Sequence, residues 1–258
     1  MGLVELLDHD GIAEVRMARA PVNALSPAFC AELREALAQA VHQGAQGIAL
    51  TGLPSIFSAG LDVPYLMSLG EDRGALQHAW EAFFGVARAL VDSPVPVAAG
   101  ITGHSPAGGC VLALCCDYRV MARSPDAAKP FRVGLNETQV GLVAPEGIQR
   151  LMRRVVGPHR AERLLVGGLM PDTDEAYAIG LVDEISSVEE TPARAVAWLR
   201  TLAALPRQPM LETRAIARAD AVEALQARHI ELERFVEAWY APDSQAALRA
   251  VLERLGKR

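Results

Sequence analysis

The stretch GHSPAGGC, residues 103–110, admits three chemistries, and the choice among them decides what surrounds it. Gly103-His104-Ser105-Pro106-Ala107 falls one residue short of the G-x-S-x-G elbow that presents a hydrolase serine. Gly103 and Gly108 have the glycine spacing of a phosphate loop. The third possibility is a turn whose backbone N–H groups, at a helix start, hold a developing oxyanion. The neighbours serve all three: an apolar strand runs from Val95 to Ile101, and GGCVLALCC (108–116) reads as a buried helix.

The elbow reading has its partners downstream, Asp172, Asp183 and His229. It fails at Pro106. An elbow needs the residue after its nucleophile to donate a backbone N–H, and proline has none. The phosphate loop needs Lys followed by Ser or Thr after its second glycine, where this chain has Gly109-Cys110. The oxyanion reading needs only a glycine whose N–H is unused at a helix N-terminus, where the dipole also favours negative charge. Gly108 fits. Two glycines that merely permit tight packing fit this segment equally well.

A second segment separates those two. FSAGLD, residues 57–62, follows the strand GIALTG (47–52). In open α/β sheets ligands collect at the carboxyl ends of strands. Ala59 and Gly108 both follow such ends, so their N–H groups are expected to converge on one oxygen. Two such donors stabilise a developing oxyanion by roughly 3–4 kcal/mol each.

Outward from these segments, residues 4–18 alternate around His9-Asp10-Gly11 and predict a β-hairpin. Ser26-Pro27 opens a helix over about 27–43, with Phe29, Leu33, Leu37 and Val41 at helical spacing. A helix over about 75–91 and a strand at 117–122 complete a βαβ pattern, which implies a largely parallel sheet. After Pro145 the strand signal fades except at LVDEI (181–185). Residues 188–255 read as amphipathic helices broken near Pro206, Pro209 and Pro242. The expected plan is an α/β core over 1–187 and a helical region over 188–258.

Composition narrows the function classes. The 258 residues are 51% apolar, enough for one sizeable domain. Net charge is -6 with the basic residues scattered, which disfavours nucleic acid. No apolar run approaches the ~20 residues of a membrane span. The N-terminus has neither the pattern of a signal peptide nor that of a myristoylation site. Three of the four cysteines, Cys110, Cys115 and Cys116, share one apolar run with no zinc-site spacing; with Cys30 they predict reduced, buried thiols, a cytoplasmic protein and no metal.

FSAGLD, followed by PAGGC leading into LALCCDYR, resembles the crotonase (enoyl-CoA hydratase/isomerase) superfamily. GLNETQVGLVAP (134–145) resembles one branch of it, the Δ3,Δ2-enoyl-CoA isomerases of fatty-acid β-oxidation. The likeness runs from APVNALS near residue 20 to the start of the helical tail. It implies a crotonase-like spiral of βαβ units assembled as trimers or paired trimers. The implied substrate is an acyl-CoA, so coenzyme A enters with the substrate and no separate cofactor is expected.

The resemblance also implies roles. Ala59 and Gly108 match the two N–H donors that hold the thioester oxygen, and Glu137 matches the glutamate base. A half-buried setting between Leu135 and Val140 would lift Glu137 above the ~4.3 of a free glutamate. Glu146 is the competing carboxylate and reads as a helix-start or surface charge. Hydratases of the superfamily carry a second glutamate where this chain has Val111, which favours isomerisation over water addition. Substrate is expected along Ala20, Val22, Ala59, Gly60, Leu61, Asp62 and Gly108. Asn23 reads as a turn residue, Asp62 as ordering its own loop, Ser105 as structural and His104 as a bystander near the acyl pocket. Which cation meets the coenzyme A phosphates, Arg19 or Lys257, stays open.

Overall fold

A computed structural model describes residues 2–256 of the chain, so Lys257 lies outside the described residues. Strands β1 (Val4–His9) and β2 (Ile12–Met17) pair antiparallel. Asp10 and Gly11 between them both take positive φ, 55° and 87°, as a two-residue hairpin turn matched to strand twist requires. β3 (Gly47–Thr51), β5 (Val97–Ile101), β7 (Tyr118–Ala122) and β9 (Glu184–Ser186) then add in parallel, giving the order β1-β2-β3-β5-β7-β9.

A second sheet, not foreseen in the sequence, is built from β4 (Ser55–Ile56), β6 (Gly103–Pro106) and β8 (Val133–Gly134), also parallel. Each passage of the chain leaves one strand in the large sheet and the next in the small one. That alternation is the spiral expected from the resemblance. It also refines the possibility of a turn within residues 103–110. Gly103–Pro106 is a strand, and the reversal is confined to Ala107, at φ 45° and ψ -119°. A short strand whose residues include glycine and proline has no apolar alternation to announce it.

Helix α1 (Pro27–His42) begins as predicted, with Ser26 Oγ accepting the Phe29 N–H. α2 (Val63–Ser68) follows FSAGLD, and α3 (Arg73–Val91) is capped by Asp72. α4 (Gly108–Leu114) is buried along its whole length. A 3₁₀ turn at Glu137–Val140 precedes α5 (Glu146–Val156), α6 (Pro158–Gly167) and α7 (Thr173–Ala178).

The strands end at Ser186, and α8 (Thr191–Ala203), α9 (Arg207–Ala217), α10 (Ala219–Ala224), α11 (Ala227–Ile230), α12 (Leu232–Trp239) and α13 (Pro242–Gly256) follow. Pro209 does not break a helix. It sits in the first turn of α9, where its missing N–H would have had no intrahelical acceptor. These helices share the core: Ala195, Val196 and Leu199 of α8 pack on Ile12, Ala49, Ala98 and Val120 of the large sheet. Phe235 and Trp239 of α12 and Leu248 of α13 join the main hydrophobic cluster that includes Trp80 and Phe83.

Candidate active site

The loop FSAGLD is held by buried polar groups. The Asn23 side-chain amide donates to the carbonyls of Met17 (3.1 Å) and Phe57 (2.9 Å). Ser58 Oγ donates to the Asn23 carbonyl at 2.8 Å and accepts the Gly60 N–H at 3.2 Å. Asp62 caps α2 by accepting the Tyr65 N–H and pairs with Arg19 at 2.7 Å. Asp62 therefore orders its loop as expected, and Arg19, offered as a phosphate partner, is engaged inside the protein.

This loop and the start of α4 lie against each other. Gly60, at φ +81°, passes so close to α4 that a Cβ there would sit 3.0 Å from the Gly108 nitrogen. Gly109 is equally constrained, because a Cβ would meet the Ser58 carbonyl oxygen at 2.4 Å. The Ala59 N–H is spent on the Val22 carbonyl at 2.9 Å. It is unavailable as a donor, contrary to the sequence reading. The N–H groups of Leu61 and Gly108, by contrast, find no acceptor among the described residues. Leu61 appears in the sequence reading as a substrate contact, but backbone pairing cannot be read from residue identities.

Leu61 and Gly108 border a cavity of about 170 Å³. Its walls are Val63 and Leu66 of α2, Trp80 and Phe83 of α3, Val111 of α4, and Phe235 and Trp239 of α12. Asn136 and Glu137 complete it, and Glu137 is the one ionisable side chain on the wall among the described residues. Oε2 of Glu137 and Oδ1 of Asn136 are buried without a hydrogen-bond partner. Burial pushes the Glu137 carboxyl up to about 7, opposed by a smaller downward pull from its own backbone N–H. An uncharged wall with one carboxyl near neutrality suits proton transfer in either direction.

Glu146 has the opposite character. It is exposed at the start of α5, bonded to Arg150 at 2.7 Å and His229 at 3.1 Å, and those bonds hold it below the usual carboxylate range. It does not line this cavity.

Of the sequence-derived residues, Ala59, Leu61, Gly108 and Glu137 are brought together on the wall. Gly60 and Asp62 stand behind it, and Ala20 and Val22 lie exposed beside the loop. His104 does not reach the cavity; its Nδ1 accepts the Arg132 N–H at 3.2 Å, and burial lowers its pKa. Ser105 is fully buried and off the wall, so it cannot serve as a nucleophile there. The aromatic wall escaped the sequence reading. Trp80 and Phe83 lie three apart on a helix and were legible as an apolar face, whereas Phe235 and Trp239 arrive from far along the chain. All four cysteines are free and buried, and burial raises Cys30 and Cys116 to about 12. Among the described residues no His, Cys, Asp or Glu cluster suits a metal ion, and no helix is long and apolar enough to cross a membrane.

The chain is similar to known proteins along most of its length. The chain is 32% identical over 256 residues to the human protein named enoyl-CoA delta isomerase 1, mitochondrial, covering 98% of this chain and 83% of the relative. It is 33% identical over 237 residues to a probable enoyl-CoA hydratase of Mycolicibacterium paratuberculosis, covering 86% of each. The crystal structure of human mitochondrial delta3-delta2-enoyl-CoA isomerase superposes with a TM-score of 0.91 at 31% identity, covering 99% of both chains. Residues 8–257 match the enoyl-CoA hydratase/isomerase family, and the chain belongs to that family.

Proposed function

We propose that the protein is a Δ3,Δ2-enoyl-CoA isomerase that moves the double bond of a 3-enoyl-CoA into conjugation with its thioester. The observation that carries this reading is the solitary carboxylate on the cavity wall. Moving a double bond takes one base, which removes a proton from C2 and returns it at C4. Adding water takes a second group to orient and deprotonate the nucleophile, and the wall offers Val111 instead. The likeness to isomerases in sequence and structure supports the same reading.

In this reading the thioester oxygen accepts from the N–H groups of Leu61 and Gly108. Glu137 takes the C2 proton, and negative charge moves through the enolate onto the thioester oxygen, where the two donors meet it without reorganising. Protonated Glu137 then delivers the proton to C4, and the carbonyl reforms. Substrate supplies its own coenzyme A, which we place toward the exposed segment holding Ala20 and Val22. The buried, unpaired thiols support a reducing compartment such as the cytoplasm. Assembly as a homotrimer or paired trimers is carried over from the family.

Mixing the protein with 3-hexenoyl-CoA and following the absorbance of the conjugated 2-enoyl thioester tests the proposal. A rise in absorbance is expected. No change with short, medium or long 3-enoyl thioesters overturns it, and conversion of 2-hexenoyl-CoA to the 3-hydroxyacyl product at a comparable rate favours a hydratase.

A further inference from the structure

Besides α4, residues of α3, α12 and α13 line the cavity beside Glu137. Phe235 is the residue that matters most there, because it has two sides. One helps enclose the 170 Å³ cavity, and its ring meets Trp80 edge-on with centroids 4.3 Å apart. The other faces a second, larger hollow of about 340 Å³ that reaches Glu146, Glu231 and Arg234. Pro145 is the other residue common to both walls. A ring and a proline thus divide what would otherwise be one continuous space.

The inner volume limits what can occupy it. A dry cavity of about 150 Å³ holds a benzene molecule, roughly six carbons. The space beside Glu137 is only slightly larger and almost entirely apolar, with no second charged group to hydrate it. The outer hollow, by contrast, carries charged side chains at its rim.

We propose, building on the isomerase reading, that Phe235 sets acyl-chain length: this protein takes short acyl-CoA thioesters of about six acyl carbons, and the Phe235 ring stops longer chains from entering the outer hollow. The occupant of the inner cavity is the acyl chain, and its length is a property of one partition rather than of the whole pocket. Removing the ring joins the two volumes and opens a path for further methylenes.

Binding of saturated thioesters tests this without requiring turnover. Calorimetric titration with hexanoyl-, octanoyl-, decanoyl- and dodecanoyl-CoA should show affinity falling at least tenfold from hexanoyl to decanoyl in the native protein. In Phe235→Ala the order should reverse. Phe235→Leu, a milder change that keeps the core filled, should give an intermediate profile and carries the test where the alanine variant does not fold. Native affinity that stays level or rises toward dodecanoyl-CoA overturns the proposal, as does an unchanged profile in either folded variant. The matching 3-enoyl thioesters, assayed for conjugation, keep the two claims apart. Chain-length discrimination in binding without any isomerisation would overturn the isomerase reading alone.

Discussion

Glu137 and Glu146 are glutamates of the same segment with opposite fates, and the difference is their surroundings. Glu146 has an arginine and a histidine as partners; Glu137 has an apolar cavity and an Oε2 without a partner. Replacing Glu137 with Gln preserves size and removes basicity, so kcat should fall by about 10²–10⁴ while acyl-CoA binding persists. Because the free protein must have Glu137 ionised to act, kcat/KM should rise with pH and level off above about 7. Stability should move the other way. The carboxyl ionises less readily in the folded state than its ordinary 4.5, so its ionisation weakens the fold as pH rises from 4.5 through about 7. Glu137→Gln should therefore exceed the native protein in stability by on the order of 3 kcal/mol above neutrality and match it near pH 4. Thermal unfolding across pH checks this. Greater native stability above neutrality would show that the carboxylate has an ionic partner. At this scale the sequence was informative about Glu137 because an identifiable motif carried it. It was misleading about Ala59, because the bond from its N–H to Val22 depends on how two loops pass each other.

Asn23 shows how a single side chain positions whole elements. It is fully buried, at φ 49°, and its amide joins the end of β2 to the strand-end loop at Phe57. Asn23→Ala removes both bonds and leaves two buried carbonyls unpaired, at a cost of about 2–4 kcal/mol. Denaturant unfolding should show this as a lower midpoint. A variant as stable as the native chain would mean that the loop is held elsewhere, and the N–H geometry around Leu61 would lose its support. Elements with strong local signals were legible: the Asp10-Gly11 hairpin, the Ser26-Pro27 helix start and the buried helix after Gly108. The small sheet was not. β4 and β8 are two residues each, and their pairing with β6 is a long-range event without a local pattern.

Across the whole molecule, the sheet brings two N–H donors to one place, the 3₁₀ turn brings the carboxylate, and the helical C-terminus closes the space around them. The sequence conveyed the order of these parts and, through resemblance, their family. It conveyed nothing of the closure, since Trp239 and Leu248 share a wall with Trp80 only after the chain has folded. That closure gives the central claim its sharpest consequence. On the isomerase proposal, a proton held by Glu137 in an apolar cavity, with Val111 in place of a second acid, should exchange slowly with solvent. The direct measurement is turnover of 3-hexenoyl-CoA deuterated at C2, in ordinary water, with mass spectrometry of the product at low conversion. A single base in a dry cavity predicts conjugated product that carries part of the deuterium at C4, and less of it in Val111→Glu. Complete loss of label from C4 would contradict the single shielded base, and a 3-hydroxyacyl thioester as the main product would contradict the isomerase itself.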